Sequence, residues 1–195
     1  MQWELKFVTS NKHKFEEAKE ILKNYKIKLQ WIKMSVEEPR GHSVEEVARK
    51  SLESLLLFRK VPSWSFLEDA GLFIRALNGF PGVYSAYVYS TIGYSGILKL
   101  MKDVKDRYAE FRSAVALYDG KRVLVFTGKC SGIIGFEARG IKGFGFDPIF
   151  IPEGFSQTFA ELGEDIKNKI SHRARALQAM AKYLLGLSGD TNEKV

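Results

Sequence analysis

Two β-rich runs, residues 111–118 and 122–131, are joined through Asp119-Gly120. An Asp-Gly step between apolar segments is a favoured hairpin turn, so two antiparallel neighbours are expected in mid-chain. The opening reads differently. Leu5-Lys6-Phe7-Val8-Thr9 alternates as a strand, and after Ser10-Asn11 the apolar residues fall at Phe15, Ala18, Ile21, Leu22 and Tyr25, at helical spacing. A hairpin among helix-connected strands predicts an α/β fold with a mixed central β-sheet flanked by helices.

The remaining pattern fills in that frame. Residues 27–34 read as a strand and 37–41 as a loop. Ser43-Val44-Glu45-Glu46 fits a capping box ahead of a helical run through Val47, Ala48, Ser51 and Leu55. Residues 64–67 form a short apolar strand ending in Glu68-Asp69-Ala70-Gly71, and Gly79-Phe80-Pro81-Gly82 marks a turn. Helices are expected over 96–104 and over 166–187, the latter broken near Ser171, and 188–195 is a polar tail expected to be flexible. No internal repeat or long linker divides the chain, which makes 1–187 one domain. A single cysteine, Cys130, excludes a disulfide framework and a multi-cysteine zinc site. The opening residues lack the layout of a signal peptide and no run is long enough to span a membrane, so a cytoplasmic location is expected. A net charge of +7 suggests a polyanionic partner: nucleic acid, a phosphorylated small molecule or an anionic membrane.

Four segments carry candidate chemistry. Thr9, Ser10, Asn11, Lys12, His13 and Lys14 lie between a strand and a helix, where hydroxyl, amide and backbone N–H donors meet the positive end of the helix dipole. The same residues also suit a plain helix cap. Glu37, Glu38, Glu45, Glu46, Glu68 and Asp69 supply hard oxygen donors of the kind magnesium prefers, alongside substrate phosphates. Gly71 beside them lets a ligand approach the backbone, whereas Lys50, four residues after Glu46, fits an ordinary helix ion pair. In Gly143-Phe144-Gly145-Phe146-Asp147-Pro148 an aromatic face suits base stacking, or the two rings are simply core. Lys167 to Arg175 places His172 and Arg173 in the first turn of a helix capped by Ser171, where the dipole disfavours positive charge.

Taken in order, Thr9-Ser10-Asn11-Lys12-His13-Lys14, Glu68-Asp69-Ala70-Gly71-Leu72, Gly143 to Phe150, Thr158-Phe159-Ala160-Glu161-Leu162 and Lys167 to Arg173 resemble the inosine triphosphate pyrophosphatase family over almost the whole chain. The resemblance implies magnesium-dependent hydrolysis of non-standard purine nucleoside triphosphates, in a cleft between two lobes of a homodimeric enzyme. Thr9 to Lys14 would cradle the triphosphate. Lys50 and the Ala70 backbone would touch substrate. Glu38 and Asp69 would hold Mg2+, with Asp69 also catalytic. Phe144, Gly145, Phe146, Asp147, Lys167, His172 and Arg173 would hold base and sugar. Ala70 stands where many members have Ser, Glu68 where many have Asp, and Tyr87 where bacterial members often have Arg. A related pyrophosphatase with another base preference is the second reading. A non-enzymatic nucleic-acid-binding module is the third, and it leaves Glu38 and Asp69 beside a phosphate cradle without a purpose. No membrane and no stable nucleic-acid partner are expected.

Overall fold

The computed structural model describes residues 3–36, 39–59 and 61–186. It opens with β1 (Glu4–Val8), α1 (Lys12–Lys23), β2 (Lys28–Ile32), α2 (Val44–Phe58) and β3 (Ser65–Ile74). A two-residue strand β4 (Pro81–Gly82) and helices α3 (Ser85–Thr91) and α4 (Gly93–Leu100) precede the hairpin β5 (Tyr108–Tyr118) and β6 (Val123–Ile134). The chain closes with β7 (Phe150–Pro152), α5 (Phe159–Leu162), α6 (Glu164–Ile170) and α7 (His172–Leu184). The strands form one mixed sheet in the order β2-β1-β3-β5-β6-β7, with β4 also on β3. β1 is parallel to β2 and β3, and every other pairing is antiparallel. The mixed α/β expectation holds.

The hairpin forms as its turn residues direct. Asp119 Oδ1 accepts from the Lys121 and Arg122 amides at 2.7 and 2.8 Å, which sets the register Tyr118↔Val123. β5 is buried along almost its whole length, because helices cover both faces of the sheet behind it. On one face α2 packs Val44, Ala48, Leu52 and Leu55 against Val8, Leu67, Ala114 and Ala116. On the other, α1 and α7 pack Phe15, Ile21, Leu177 and Met180 against Phe7 and Phe66. A third cluster, including Leu72, Ile97, Phe111, Phe150 and Phe159, fills the far end of β3 and β5.

Two expected bounds move, and one expected role changes. β3 does not stop at residue 67 but runs ten residues, carrying Glu68 and Asp69 in mid-strand opposite Val115 and Ala114. Backbone pairing with β5 is indifferent to side-chain polarity, so the carboxylates do not end it. The helix expected over 96–104 is α4, which starts at Gly93 and ends at Leu100, and the short α3 ahead of it was not expected; Gly93 at φ +62° turns the chain between the two. Gly71 does not open the backbone to a ligand: a Cβ there would collide with the Gly82 carbonyl, so its missing side chain admits β4 instead. The break at Ser171 is where it was expected. The tail from 188 lies outside the described residues.

This topology places a crevice. From β1 the chain goes through α1 to β2 on one side, then returns through α2, over the opposite face, to β3 on the other side. The carboxyl ends of β1 and β3 therefore flank a topological switch point, where open α/β sheets hold ligands. β1 pairs with β3 through Lys6↔Ser65 and Phe7↔Phe66. Beyond Phe66 the same edge of β3 receives Lys14 Nζ at the Glu68 carbonyl and meets a strand again at Leu72 and Phe73, where β4 pairs.

Candidate active site

The loop after β1 is held from several directions. The Asn11 amide donates to Thr9 Oγ1 at 3.1 Å, and Asn11 Oδ1 caps α1 by accepting from the Lys14 amide at 3.2 Å. The Trp31 indole N–H donates to the Thr9 carbonyl at 2.8 Å while its ring stacks on Phe15. The first intrahelical bond runs from Phe15 N–H to the Asn11 carbonyl. The amides of Lys12 and His13 thus precede the ladder, at the positive end of α1. Ser10, Lys12 and His13 are exposed, and Lys14 is half-buried.

Alternation along β3 sends its two adjacent carboxylates to opposite faces. Asp69 shares the α2 face with Leu67 and Ala114, and is 5% exposed. Glu68 shares the α1/α7 face with Phe66 and Val115. There it accepts from Ser113 Oγ at 2.7 Å and meets Lys14 Nζ and Arg173 Nε at 3.1 Å each. Lys14 Nζ also donates to the Glu68 carbonyl at 3.1 Å, tying the start of α1 to β3. Burial pushes the Glu68 carboxyl up, but the Arg173 and Lys14 charges outweigh it and hold the group well below the usual carboxylate range. Glu68 is committed to these cations. The acid in this pair positioned differently, on the other face, is Asp69.

From Glu68 an alternating chain of buried charge runs to the glycine-rich loop. Arg173 bonds both Glu68 and Glu17. Glu17 also accepts from Lys167 Nζ at 2.7 Å, and Lys167 Nζ donates to Asp147 Oδ2 at 2.6 Å. Asp147 in turn accepts from the Phe144 amide at 2.9 Å. Burial raises Arg173's desolvation cost, yet Glu68 and Glu17 outweigh it and push its pKa up. Burial likewise works against ionised Glu17, and the Arg173 and Lys167 charges more than compensate. At Asp147 burial wins over Lys167, and the carboxyl is pushed up. His172 is stacked on Phe111 with ring centroids 4.7 Å apart, and burial followed by the Arg173 charge keeps it neutral. A neutral imidazole offers one donor and one acceptor.

The other expected residues fall as follows. Phe144 is half-buried, with His13 stacked on it at 5.3 Å and Lys167 Nζ over its ring at 4.5 Å. Gly145 is half-buried beside it with φ +65°. Phe146 packs into the apolar core, edge-on to Tyr89, as one of the two readings of that segment held. Ala70 is half-buried, opposite Ser113. Lys50 is exposed and pairs with Glu46 at 2.5 Å, while the other Glu46 oxygen accepts from the His42 amide at 2.9 Å. Glu46 therefore makes the ordinary helix ion pair, and Ser43 accepts from its amide as the cap. Glu37 and Glu38 lie outside the described residues. Among the described residues no group of three or more His, Cys, Asp or Glu converges on a metal position.

Two members of the site escaped the sequence reading. Glu17 resembles any solvated helix glutamate, although its place four residues before Ile21 puts it beside the apolar stripe of α1. Ser113 is a lone hydroxyl in an apolar strand, and only its pairing opposite Ala70, beside Glu68, reveals its use.

Fold and site together define an open mixed-sheet α/β protein that presents a capped strand-to-helix loop, with backbone amides ahead of the helix ladder, tied through Lys14 to the strand that carries two buried carboxylates. The chain belongs to the Ham1 family, whose pattern matches residues 5–183. A dITP/XTP pyrophosphatase of Thermococcus kodakarensis is 51% identical over 92% of this chain and 96% of its own. One from Ignicoccus hospitalis is 49% identical over the same shares, 92% and 96%. Among solved structures, the Staphylococcus aureus Ham1 protein superposes with a TM-score of 0.77 at 28% identity, over 94% of this chain and 100% of that one. A HAM1 protein from Coxiella burnetii does so with 0.76 at 30% identity, over 93% and 99%. The family resemblance carried by the five motifs is borne out.

Proposed function

We propose that this chain is a pyrophosphatase that hydrolyses non-standard purine nucleoside triphosphates (dITP, ITP and XTP) to the monophosphate and pyrophosphate. The observation that carries the reading is the position of Asp69, buried in mid-β3 at the switch point, one residue after Glu68, whose carbonyl accepts from Lys14 of the capped strand-to-helix segment. The printed names of the Ham1-family relatives support the same reaction.

In this reading Thr9 to Lys14 bind the phosphates through hydroxyl, amide and backbone donors, aided by the α1 dipole. Asp69 orients a water and takes its proton as the water oxygen attacks the α-phosphorus. The α–β phosphoanhydride bond breaks, and its electron pair leaves with pyrophosphate. Lys50 and the Ala70 backbone add contacts from α2 and β3. Phe144 stacks on the base, and Gly145, Phe146 and Asp147 shape its loop. Lys167, His172 and Arg173 line the purine's polar edge. Oxygen at C6 accepts from donors such as Arg173, whereas an adenine amino group leaves each donor unpaired at a cost of about 1–3 kcal/mol.

Magnesium fits this donor set. Asp69 is a hard oxygen ligand, and Mg2+ takes one or two carboxylates and completes its shell with phosphate oxygens and water. Asp69 and Glu38 would hold it. When bound it supplies Lewis-acid stabilisation of charge on the phosphate oxygens. A homodimer is part of the same proposal, supported by the exposed rings of Phe80, Tyr84 and Tyr87. So is one two-lobed catalytic domain over 1–187. No helix of the described residues is long and apolar enough to cross a membrane.

The test is pyrophosphate release from dITP, XTP, dATP and dGTP, with magnesium and with chelator, for the wild type and Asp69→Asn. The expected result is magnesium-dependent release from dITP and XTP that falls at least about a hundredfold in the variant. Equal rates for all four triphosphates remove the base reading, and an unaffected Asp69→Asn removes the catalytic assignment.

A further inference from the structure

Phe144 is approached from two sides. Lys167 Nζ lies 4.5 Å and the Arg173 guanidinium 5.5 Å from its ring centre, and both cations are 2% exposed. A base does not reach the ring through two buried side chains that are already ion-paired. The side of the ring left to solvent carries His13, stacked at 5.3 Å with the two ring planes 18° apart. His13 is exposed and is the second residue of α1. Its backbone is fixed by Asn11 Oδ1, which caps the Lys14 amide, and by Lys14 Nζ on the Glu68 carbonyl. Phe144 is fixed by its amide on Asp147. One residue of the phosphate loop and one of the base loop thus present parallel rings to each other, and the exposed imidazole is the one with room to turn.

We infer, building on the functional reading above, that the His13 side chain belongs to the base site and not to the phosphate cradle: with Phe144 it forms the two walls of a slot that takes the purine ring. Its backbone amide stays with the phosphates at the start of α1. Two aromatic planes with a base between them need about 7 Å between centres, twice a carbon–carbon contact of about 3.5 Å. The pair stands at 5.3 Å, so an outward turn of the imidazole by about 2 Å admits the base. Parallel planes suit a flat heterocycle, whereas an edge-on pair would not. Stacking reads the π-face of a base and not its edge. His13 therefore adds affinity for any purine and leaves the choice between purines to the polar groups at the edge.

His13→Ala, His13→Gln and His13→Phe separate a stacking role from a phosphate contact. The side chain is exposed, so all three variants fold, which a thermal melt checks. Pyrophosphate release from dITP and XTP is measured as kcat and KM separately, with inhibition by pyrophosphate alongside. In His13→Ala and His13→Gln, KM for both substrates is expected to rise at least about fivefold while kcat stays within about threefold. His13→Phe keeps a ring and cannot bond a phosphate, so its KM is expected to stay within about twofold of the wild type. Inhibition by pyrophosphate, which carries no base, is expected to move less than about twofold in all three. A smaller KM rise in His13→Ala overturns the proposal, as does a fall, which would make the imidazole an obstacle on Phe144. Pyrophosphate inhibition that weakens along with KM, or a His13→Phe variant as impaired as His13→Ala, also overturns it and returns the side chain to the cradle. A wild type that releases pyrophosphate from neither dITP nor XTP instead overturns the functional reading beneath it.

Discussion

Replacing Glu68 by Gln tests the buried charge chain directly. The wild-type carboxylate meets Arg173 Nε at 3.1 Å, Lys14 Nζ at 3.1 Å and the Ser113 hydroxyl at 2.7 Å, with 1% of its side chain exposed. The amide is nearly isosteric, and its carbonyl can keep the Ser113 bond. What is lost is one buried negative charge between two cations. Removing one partner of a buried ion pair costs about 3–5 kcal/mol. Arg173 retains Glu17, which places this case near the lower end, about 3 kcal/mol. For a chain of this size that lowers Tm by about 6–12 °C. The pH dependence adds a second signature. Because the folded Glu68 pKa is depressed, its stabilisation is present above the unfolded value of about 4.3 and is lost as pH falls toward the folded value. Gln does not titrate, so the gap between wild type and variant should narrow below that point, the other carboxylates cancelling in the difference. Urea titrations of both proteins from pH 7 to pH 3 measure it. A deficit below about 1 kcal/mol at pH 7, or one that stays constant with pH, refutes the reasoning.

Gly71→Ala should cost about 1–3 kcal/mol in urea unfolding, because its Cβ meets the Gly82 carbonyl and β4 must move; no change would show that β4 yields freely. Ser171→Ala removes the hydroxyl that accepts from the Ala174 amide at 3.2 Å, and should cost about 1 kcal/mol by thermal melting. Cys130 is 3% exposed and burial pushes its thiol up to about 11, so a disulfide reagent at pH 8 should modify it only after denaturation; rapid labelling of the native protein would contradict that burial.

Much of the molecule is written in short-range signals. Apolar spacing marked α1 and α2, Asp119-Gly120 marked the hairpin, and Ser171 marked the start of α7, because periodicity, turn chemistry and capping act within a few residues. The residues of the site were also visible as types, since Thr9-Ser10-Asn11 and Glu68-Asp69 are compact motifs. Their arrangement was not. That β3 continues through its two carboxylates follows from pairing with β5, a strand some forty residues further along the chain, and this pairing sends Glu68 and Asp69 to opposite faces. Gly71 reads as a place for a ligand until the Gly82 carbonyl arrives there. Glu17 reads as a surface charge until α6 and α7 deliver Lys167 and Arg173, both 2% exposed, to its oxygens. Local patterns select helix, strand and turn because backbone conformation is a local choice. Burial, desolvation and charge pairing depend on residues distant in the chain, so the roles of Glu17, Glu68 and Gly71 exist only once the sheet and its helices have assembled.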